Sequence, residues 1–226
     1  MKISFFSTQR YERPIFDQVN QLHHHEINYY DFHLNSGSVG AVPPTDAVCC
    51  FVNDSINAKV IDGLYERGVL LIALRSAGYN HVDYAYAQKK GISICRVPSY
   101  SPQAIAEHTV ALILCLNRKV HQAYNRVREG NFSLNGLMGF NLYQKTVGII
   151  GTGQIGTSLA NILNGFGCTI LAFDPKPNEC CIKLGVDYTS LDSLLKNSDI
   201  VSLHCPLNDN TSHIIDYQAL EKMKQG

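Results

Sequence analysis

One six-residue segment constrains this chain more than any other. Gly151-Thr152-Gly153-Gln154-Ile155-Gly156 follows an apolar run at 147–150 and opens a stretch in which Ile155, Leu159, Ile162 and Phe166 recur at helical spacing. In such a turn the first glycine permits the tight bend, the second lets a pyrophosphate approach the backbone, and the third lets the helix pack on the strand. The phosphates would sit at the helix N-terminus, where free N–H groups and the positive end of the dipole favour an anion. A second apolar run, 168–173, ends at Asp174, placed where a carboxylate can accept the ribose hydroxyls of an adenosine and repel a 2′-phosphate. Strand, glycines, helix, strand and acid in this order predict a βαβ unit that binds NAD rather than NADP. Lys176, just beyond the acid, softens that preference. The blander alternative is a glycine turn that serves helix–sheet packing alone, with Asp174 capping a loop.

The rest of the chain fits an α/β protein. Near-continuous apolar runs at 3–6, 27–32, 47–52, 69–74 and 92–97 predict parallel strands covered on both faces. Between them, 57–67 and 82–90 carry helical spacing and close on Gly68 and Gly91. Ser101-Pro102 supplies a cap and a first-turn proline for a helix reaching about residue 118, apolar enough to be buried between two layers or two domains. Residues 126–145, with Gly130, Asn131, Asn135, Gly136 and Gly139, read as a loop-rich connection. Strands at 146–150, 168–173, 186–188 and 199–204 then alternate with helices at 154–166, 191–196 and 216–224, the last ending at Gly226.

Composition excludes several classes. The 226 residues balance 19 Lys+Arg against 19 Asp+Glu and hold no dense basic cluster, which argues against nucleic acid as a partner. The N-terminus lacks the apolar run of a secretory signal, and the longest apolar stretch, near 106–116, is too short to span a bilayer, so a cytoplasmic protein without membrane contact is expected. The 8 cysteines include two adjacent pairs and no C-x-x-C, and are expected to be reduced core residues rather than a metal site. His23-His24-His25 lacks further ligand spacing and reads as surface. The fourth strand of the second half ends in Ser202-Leu203-His204-Cys205-Pro206, a turn that should flank the cofactor, since ligands gather beyond the carboxyl ends of parallel strands. His204 is a weak acid–base candidate; a histidine that orients the loop by hydrogen bonds is the stronger reading.

With these motifs placed, the chain resembles the D-isomer-specific 2-hydroxyacid dehydrogenases, and within them the bacterial fermentative D-lactate branch. The matching blocks are Ala73-Leu-Arg75-Ser76-Ala77-Gly78-Tyr-Asn80-His-Val-Asp83, Arg96-Val-Pro98-Ser-Tyr100-Ser-Pro102, Ala106-Glu107-His108, Asn131-Phe-Ser-Leu, the glycine turn, Phe173-Asp174-Pro175 and Ser202-Leu-His204-Cys205-Pro206-Leu207. The resemblance implies a flavodoxin-like substrate-binding domain at 1–99 and a Rossmann NAD-binding domain at 100–226, hinged by the connecting helix. It implies substrate contacts from the backbone of Ser76, Ala77 and Gly78 and from Tyr100. It also implies cofactor contacts from Gly151, Gly153, Gln154, Ile155, Gly156, Asp174, His204, Cys205, Pro206 and Thr211, Thr211 being the softest because close relatives often have Asn there. The substrate implied is a small 2-keto or 2-hydroxy acid, pyruvate or D-lactate, in a homo-oligomer. The family's catalytic Arg, Glu and His follow a K-M-K-x-G helix end, here 222–226, so none is expected within the chain, which reads as incomplete at the C-terminus of its doubly wound sheet. The alternatives are a catalytically silent dinucleotide-binding or interaction module, and a sister enzyme for another 2-keto acid.

Overall fold

The computed structural model describes residues 1–225 and divides the chain into two compact units, one ending at Tyr100 and one starting at Ser101. The division falls one residue after the expected boundary, between the last strand of the first unit and the residue that caps the next helix.

The first unit runs β1 (Lys2–Phe5), α1 (Arg13–Asn20), β2 (Glu26–Tyr29), β3 (Ala47–Cys50), α2 (Ala58–Tyr65), β4 (Leu71–Leu74), α3 (Tyr84–Lys89) and β5 (Ser93–Arg96). All five strands are parallel, in the order β2-β1-β3-β4-β5. This is the flavodoxin-like order, with the chain reversing direction across the sheet beside β1. The central strand β3 is buried at every residue, as a strand covered on both faces should be. The edge strands differ from the expectation. β2 alternates exposed and half-buried residues, and β5 is mostly exposed. Edge strands have a neighbour on one side only, so fewer side chains are covered. The core gathers Phe6, Val48, Ile61, Leu64 and Ile72 between sheet and helices.

Arg75, directly after β4, ties this unit together. Its Nε pairs with Glu12 Oε1 at 3.0 Å, Nη1 donates to the Phe6 carbonyl at 3.1 Å and Nη2 to the Ser7 carbonyl at 3.1 Å. The guanidinium also lies 4.1 Å from the centre of the Phe5 ring. A planar fork of donors is the one side chain that can meet two carbonyls and a carboxylate at once. Nearby, the buried Asp54 carboxylate accepts from Ser7 Oγ at 2.6 Å, Leu34 N at 2.8 Å and Phe51 N at 2.6 Å.

The second unit comprises α4 (Pro102–Asn117), α5 (Val120–Arg128), β6 (Thr146–Ile150), α6 (Gln154–Gly165), β7 (Thr169–Phe173), α7 (Glu179–Lys183), β8 (Asp187–Tyr188), α8 (Leu191–Asn197), β9 (Ile200–Leu203) and α9 (Tyr217–Lys222). Its parallel strands run β8-β7-β6-β9, the first four places of the Rossmann order. Ser101 Oγ accepts from Ala104 N at 3.1 Å to cap α4. α4 and α6 pack on one face of the sheet through Ala106, Val110, Leu159, Ala160 and Leu163, and α8 and α9 pack on the other through Leu194, Leu195 and Ala219.

Four expectations are corrected. α4 buries Ala106 and Val110 only, while Leu112 and Leu116 are 50% and 68% exposed, because within this unit one stripe of the helix meets α6. A second helix, α5, precedes the loop; Lys119, at φ +50°, breaks the chain between the two. Of the cysteines, Cys49, Cys50, Cys168 and Cys181 are buried, but Cys95 and Cys180 are exposed, on an edge strand and on a surface helix. The last helix stops at Lys222, and its expected end at Gly226 lies outside the described residues. Among those residues no helix is long and apolar enough to cross a membrane.

Arg75→Met should lower the unfolding free energy by about 3 kcal/mol in urea melts followed by circular dichroism, since it strands Glu12 and two backbone carbonyls. Arg75→Lys should recover less than half of that.

Candidate cofactor-binding site

The glycine turn joins β6 to α6, and each glycine answers a separate demand. Gly151 has φ +94°, and a Cβ there would lie 2.6 Å from the Cys205 nitrogen and 2.7 Å from the His204 carbonyl carbon. Both backbone conformation and space therefore require glycine. Gly153 caps α6 in an extended conformation, and a Cβ there would meet no atom within 4 Å. Its bareness opens space rather than relieving a clash inside the protein. Gly156 presses directly on the Gly151 carbonyl, so its missing side chain sets the closeness of helix and strand. The N–H groups of Gly153 and Ile155 donate to no acceptor among the described residues. Open donors at a helix N-terminus facing empty space are the arrangement that a diphosphate fits.

Asp174 follows β7. Its Oδ2 accepts from Thr152 N at 2.7 Å and Thr152 Oγ1 at 3.2 Å, and its Oδ1 from Lys176 N at 2.8 Å. Partial burial pushes its pKa up, but these hydrogen bonds outweigh it and hold the carboxyl below its ordinary value. The acid is thus ionised at neutral pH, with an acceptor direction of Oδ1 still open. Thr152 itself is buried, and its carbonyl accepts from Thr157 Oγ1 at 3.1 Å and Asn178 Nδ2 at 2.9 Å.

A cleft of about 430 Å³ lies beyond the carboxyl ends of β6, β7 and β9. Gly151, Gly153, Asp174, His204, Cys205, Pro206 and Thr211 line it, together with Phe173, Pro175 and Ile214. The structure thus brings these seven expected residues to one cavity, while Gln154, Ile155 and Gly156 form the first turn of α6 beside it. His204 is half-buried, hydrogen-bonded through Nε2 to Ser202 Oγ at 2.8 Å, and burial lowers its pKa, so it is neutral at pH 7. Thr211 is held in a loop turn, its Oγ1 donating to the Pro206 carbonyl and accepting from Asn208 N at 2.9 Å. Among the described residues no group of three or more His, Cys, Asp or Glu is arranged to hold a metal ion.

In the first unit, the turn after β4 carries the other expected residues. Ser76 is buried and its Oγ donates to the Gly78 carbonyl at 2.7 Å. The Ser76 carbonyl accepts from Val97 N at 3.2 Å and the Ala77 carbonyl from Arg96 Nη1 at 2.8 Å. The N–H groups of Ser76, Ala77 and Gly78 donate to nothing among the described residues. With its carbonyls taken and its amides open, this turn can accept an anion. Tyr100, the last residue of the unit, is 67% exposed.

Sequence reading missed the residues that hold these parts in place. Thr152 lay unremarked inside the glycine motif, and Tyr188, whose hydroxyl donates to Thr152 Oγ1 at 2.8 Å, sat in a two-residue strand. Arg75 was visible in a matching block, but its partner Glu12 is far away in sequence.

The fold, the turn and the acid define the second unit as a dinucleotide-binding domain. Residues 110–226 match the family model described as D-isomer specific 2-hydroxyacid dehydrogenase, NAD binding domain. The whole chain is 46% identical to a 2-hydroxyacid dehydrogenase homolog of Haemophilus influenzae and 44% identical to a D-lactate dehydrogenase of Escherichia coli, covering 68% and 69% of those proteins. Among solved structures, the apo-structure of D-lactate dehydrogenase from Escherichia coli superposes with a TM-score of 0.91 at 44% identity, over 99% of this chain and 71% of that one. The D-lactate dehydrogenase of Aquifex aeolicus complexed with NAD and lactic acid does so with a TM-score of 0.85 at 32% identity, over 99% of this chain and 66% of that one. The chain belongs to the D-isomer-specific 2-hydroxyacid dehydrogenase family, and its cofactor is NAD.

Two predictions separate the turn's functions. Gly153→Val should leave the melting temperature within about 1 °C yet weaken NADH binding about tenfold or more, whereas Gly151→Ala should lower the melting temperature by about 4 °C or more through strain and contact. A group with a depressed pKa adds stability above the ordinary carboxylate range that is lost as pH falls through its folded value. The melting-temperature gap between the wild type and Asp174→Asn should therefore be steady from pH 8 to about 5 and close below about pH 4.

Proposed function

We propose that the chain belongs to an NAD-dependent D-lactate dehydrogenase, in which hydride passes between the nicotinamide and the keto carbon of pyruvate. The observation that carries this reading is the open N-terminus of α6 with the Asp174 carboxylate beside it; within the first unit, the open amides of Ser76, Ala77 and Gly78 form a further anion-ready turn. In this assignment Gly151, Gly153, Gln154, Ile155 and Gly156 cradle the pyrophosphate, and Asp174 accepts from the adenosine ribose. His204, Cys205, Pro206 and Thr211 wall the cleft. The amides of residues 76–78 hold the substrate carboxylate, and Tyr100 closes over it. Bound NAD supplies the hydride acceptor, and reduced NAD the hydride donor; the chain's residues orient both partners and exclude water.

Proton transfer and carbonyl polarisation need groups that these roles do not provide. His204 is neutral and engaged with Ser202, which supports an orienting role for it. The 226 residues by themselves therefore bind cofactor and contribute half of a substrate pocket, with the acid–base chemistry supplied from outside them. Assembly between copies is proposed to run through the second unit, where Leu116, Tyr124, Leu134 and Met138 are exposed.

Pyruvate-dependent NADH oxidation by the purified chain tests the assignment. The expected rate equals that of the Gly153→Val variant, and a chain carrying the longer family length turns over. Turnover by the 226 residues well above the variant would place the catalytic groups inside this segment, His204 first among them.

A further inference from the structure

The hydroxyl of Thr152 is the middle of a chain of hydrogen bonds that runs toward Asp174, with the Cys181 thiol a further neighbour of the Tyr188 hydroxyl. At one end Asn178 N donates to Tyr188 Oη at 2.8 Å, and a backbone amide can only donate. At the other end Thr152 Oγ1 meets Asp174 Oδ2 at 3.2 Å, and an ionised carboxylate can only accept. Thr152 must therefore give its single proton to Asp174, and Tyr188 must give its own to Thr152, 2.8 Å away. Burial raises the pKa of the Tyr188 phenol, which keeps that proton in place at neutral pH. Asn178 anchors the assembly twice more, through Nδ2 on the Thr152 carbonyl at 2.9 Å and through Oδ1, which accepts from Cys180 N at 2.9 Å.

These bonds fill Oδ2 with two internal donors, so the Asp174 carboxylate cannot rotate without breaking them. Asp174 also borders a second, open hollow of about 570 Å³, lined by Thr152, Gly153, Lys176, Asn178 and Glu179. It has room for a phosphate and one lysine to meet it. Space and a cation are thus already present beside Asp174, and two carboxylates, Glu179 and the internally fixed Asp174, oppose a 2′-phosphate there.

We propose that Tyr188, acting through the Thr152 hydroxyl, is a positioning residue that fixes the Asp174 carboxylate toward the adenosine ribose and thereby sets the preference for NAD over NADP. This deepens the role of Asp174 given above and rests on it. Without the Tyr188 hydroxyl, Thr152 Oγ1 loses the donor that orients it and polarises its own O–H, so its bond to Asp174 is weaker and less firmly directed. The carboxylate then both accepts less well from a ribose hydroxyl and yields more readily to a phosphate beside Lys176. A tyrosine that served packing alone would weaken both nucleotides alike when changed to phenylalanine.

The test is titration of the chain with NADH and with NADPH, read by nucleotide fluorescence. Tyr188→Phe and Thr152→Val should each lower the ratio Kd(NADPH)/Kd(NADH) by about threefold to tenfold, the range expected for one hydrogen bond to a charged group. Thr152→Ser, which keeps the hydroxyl, should stay within about twofold of the wild type, and Asp174→Ala should lower the ratio at least as far as Tyr188→Phe. An unchanged ratio in Tyr188→Phe, or equal loss of both nucleotides, overturns the relay while a lowered ratio in Asp174→Ala leaves that residue's role standing. An unchanged ratio in Asp174→Ala, or no binding of NADH by the wild type, overturns both. Should a variant fold poorly, the carboxyl carbon resonance of Asp174 in the folded fraction decides the matter. Its titration midpoint should rise in Tyr188→Phe, and an unmoved midpoint counts against the relay.

Discussion

Between Thr152 and Asp174 two hydrogen bonds, one from the backbone and one from the side chain, fasten the turn after β6 to the turn after β7. The rest of the second unit is arranged so that this fastening can exist. Gly151 must bend back with positive φ against the His204 and Cys205 backbone, and Gly156 must let α6 descend onto the strand end. Only then does the Thr152 amide face a carboxylate instead of joining the helix. What leaves the turn's amides open and what fixes the Asp174 carboxylate are thus one geometric fact. The helix N-terminus stays open because its preceding residue is bound sideways.

The first unit solves a related problem differently. Its sheet also gathers strand ends at one edge, but the ends of β1, β3 and β4 are closed by side chains rather than held open. Arg75 and Asp54 take up the carbonyls and amides there, which leaves the turn at Ser76, Ala77 and Gly78 as the place where backbone donors remain unspent. A charged side chain this well covered carries a large desolvation cost, offset by a carboxylate, two carbonyls and an aromatic face in contact with it. In both units the backbone amides left open lie next to a charged side chain that is itself taken up by neighbouring backbone groups, Arg75 in the first and Asp174 in the second.

Much of the architecture was legible beforehand, and the reason is local. Parallel strands buried on both faces write themselves as unbroken apolar runs, as 47–50 and 147–150 do, and helix ends announce themselves through residues such as Ser101, Pro102, Gly68 and Gly91. The misjudged parts are those where the same apolar letters mean different things in different surroundings. β5 reads like β3 but lies at an edge, α4 is apolar around most of its circumference yet meets α6 along one stripe, and the helical spacing of Val120, Tyr124 and Val127 was passed over beside a glycine-rich loop.

The sequence by itself determined the alternation of strand and helix, the glycine turn and the acid that follows it, because each depends on residues close together in the chain and on steric demands that glycine, proline or a carboxylate alone meets. The tertiary structure decided which side chains act on those parts. Glu12 reaches Arg75 across the parallel sheet, and Tyr188 reaches Thr152 from a two-residue edge strand. Such contacts are made by crossover connections that bring distant segments to the same end of a sheet, and no periodicity along the chain records which residues will meet there.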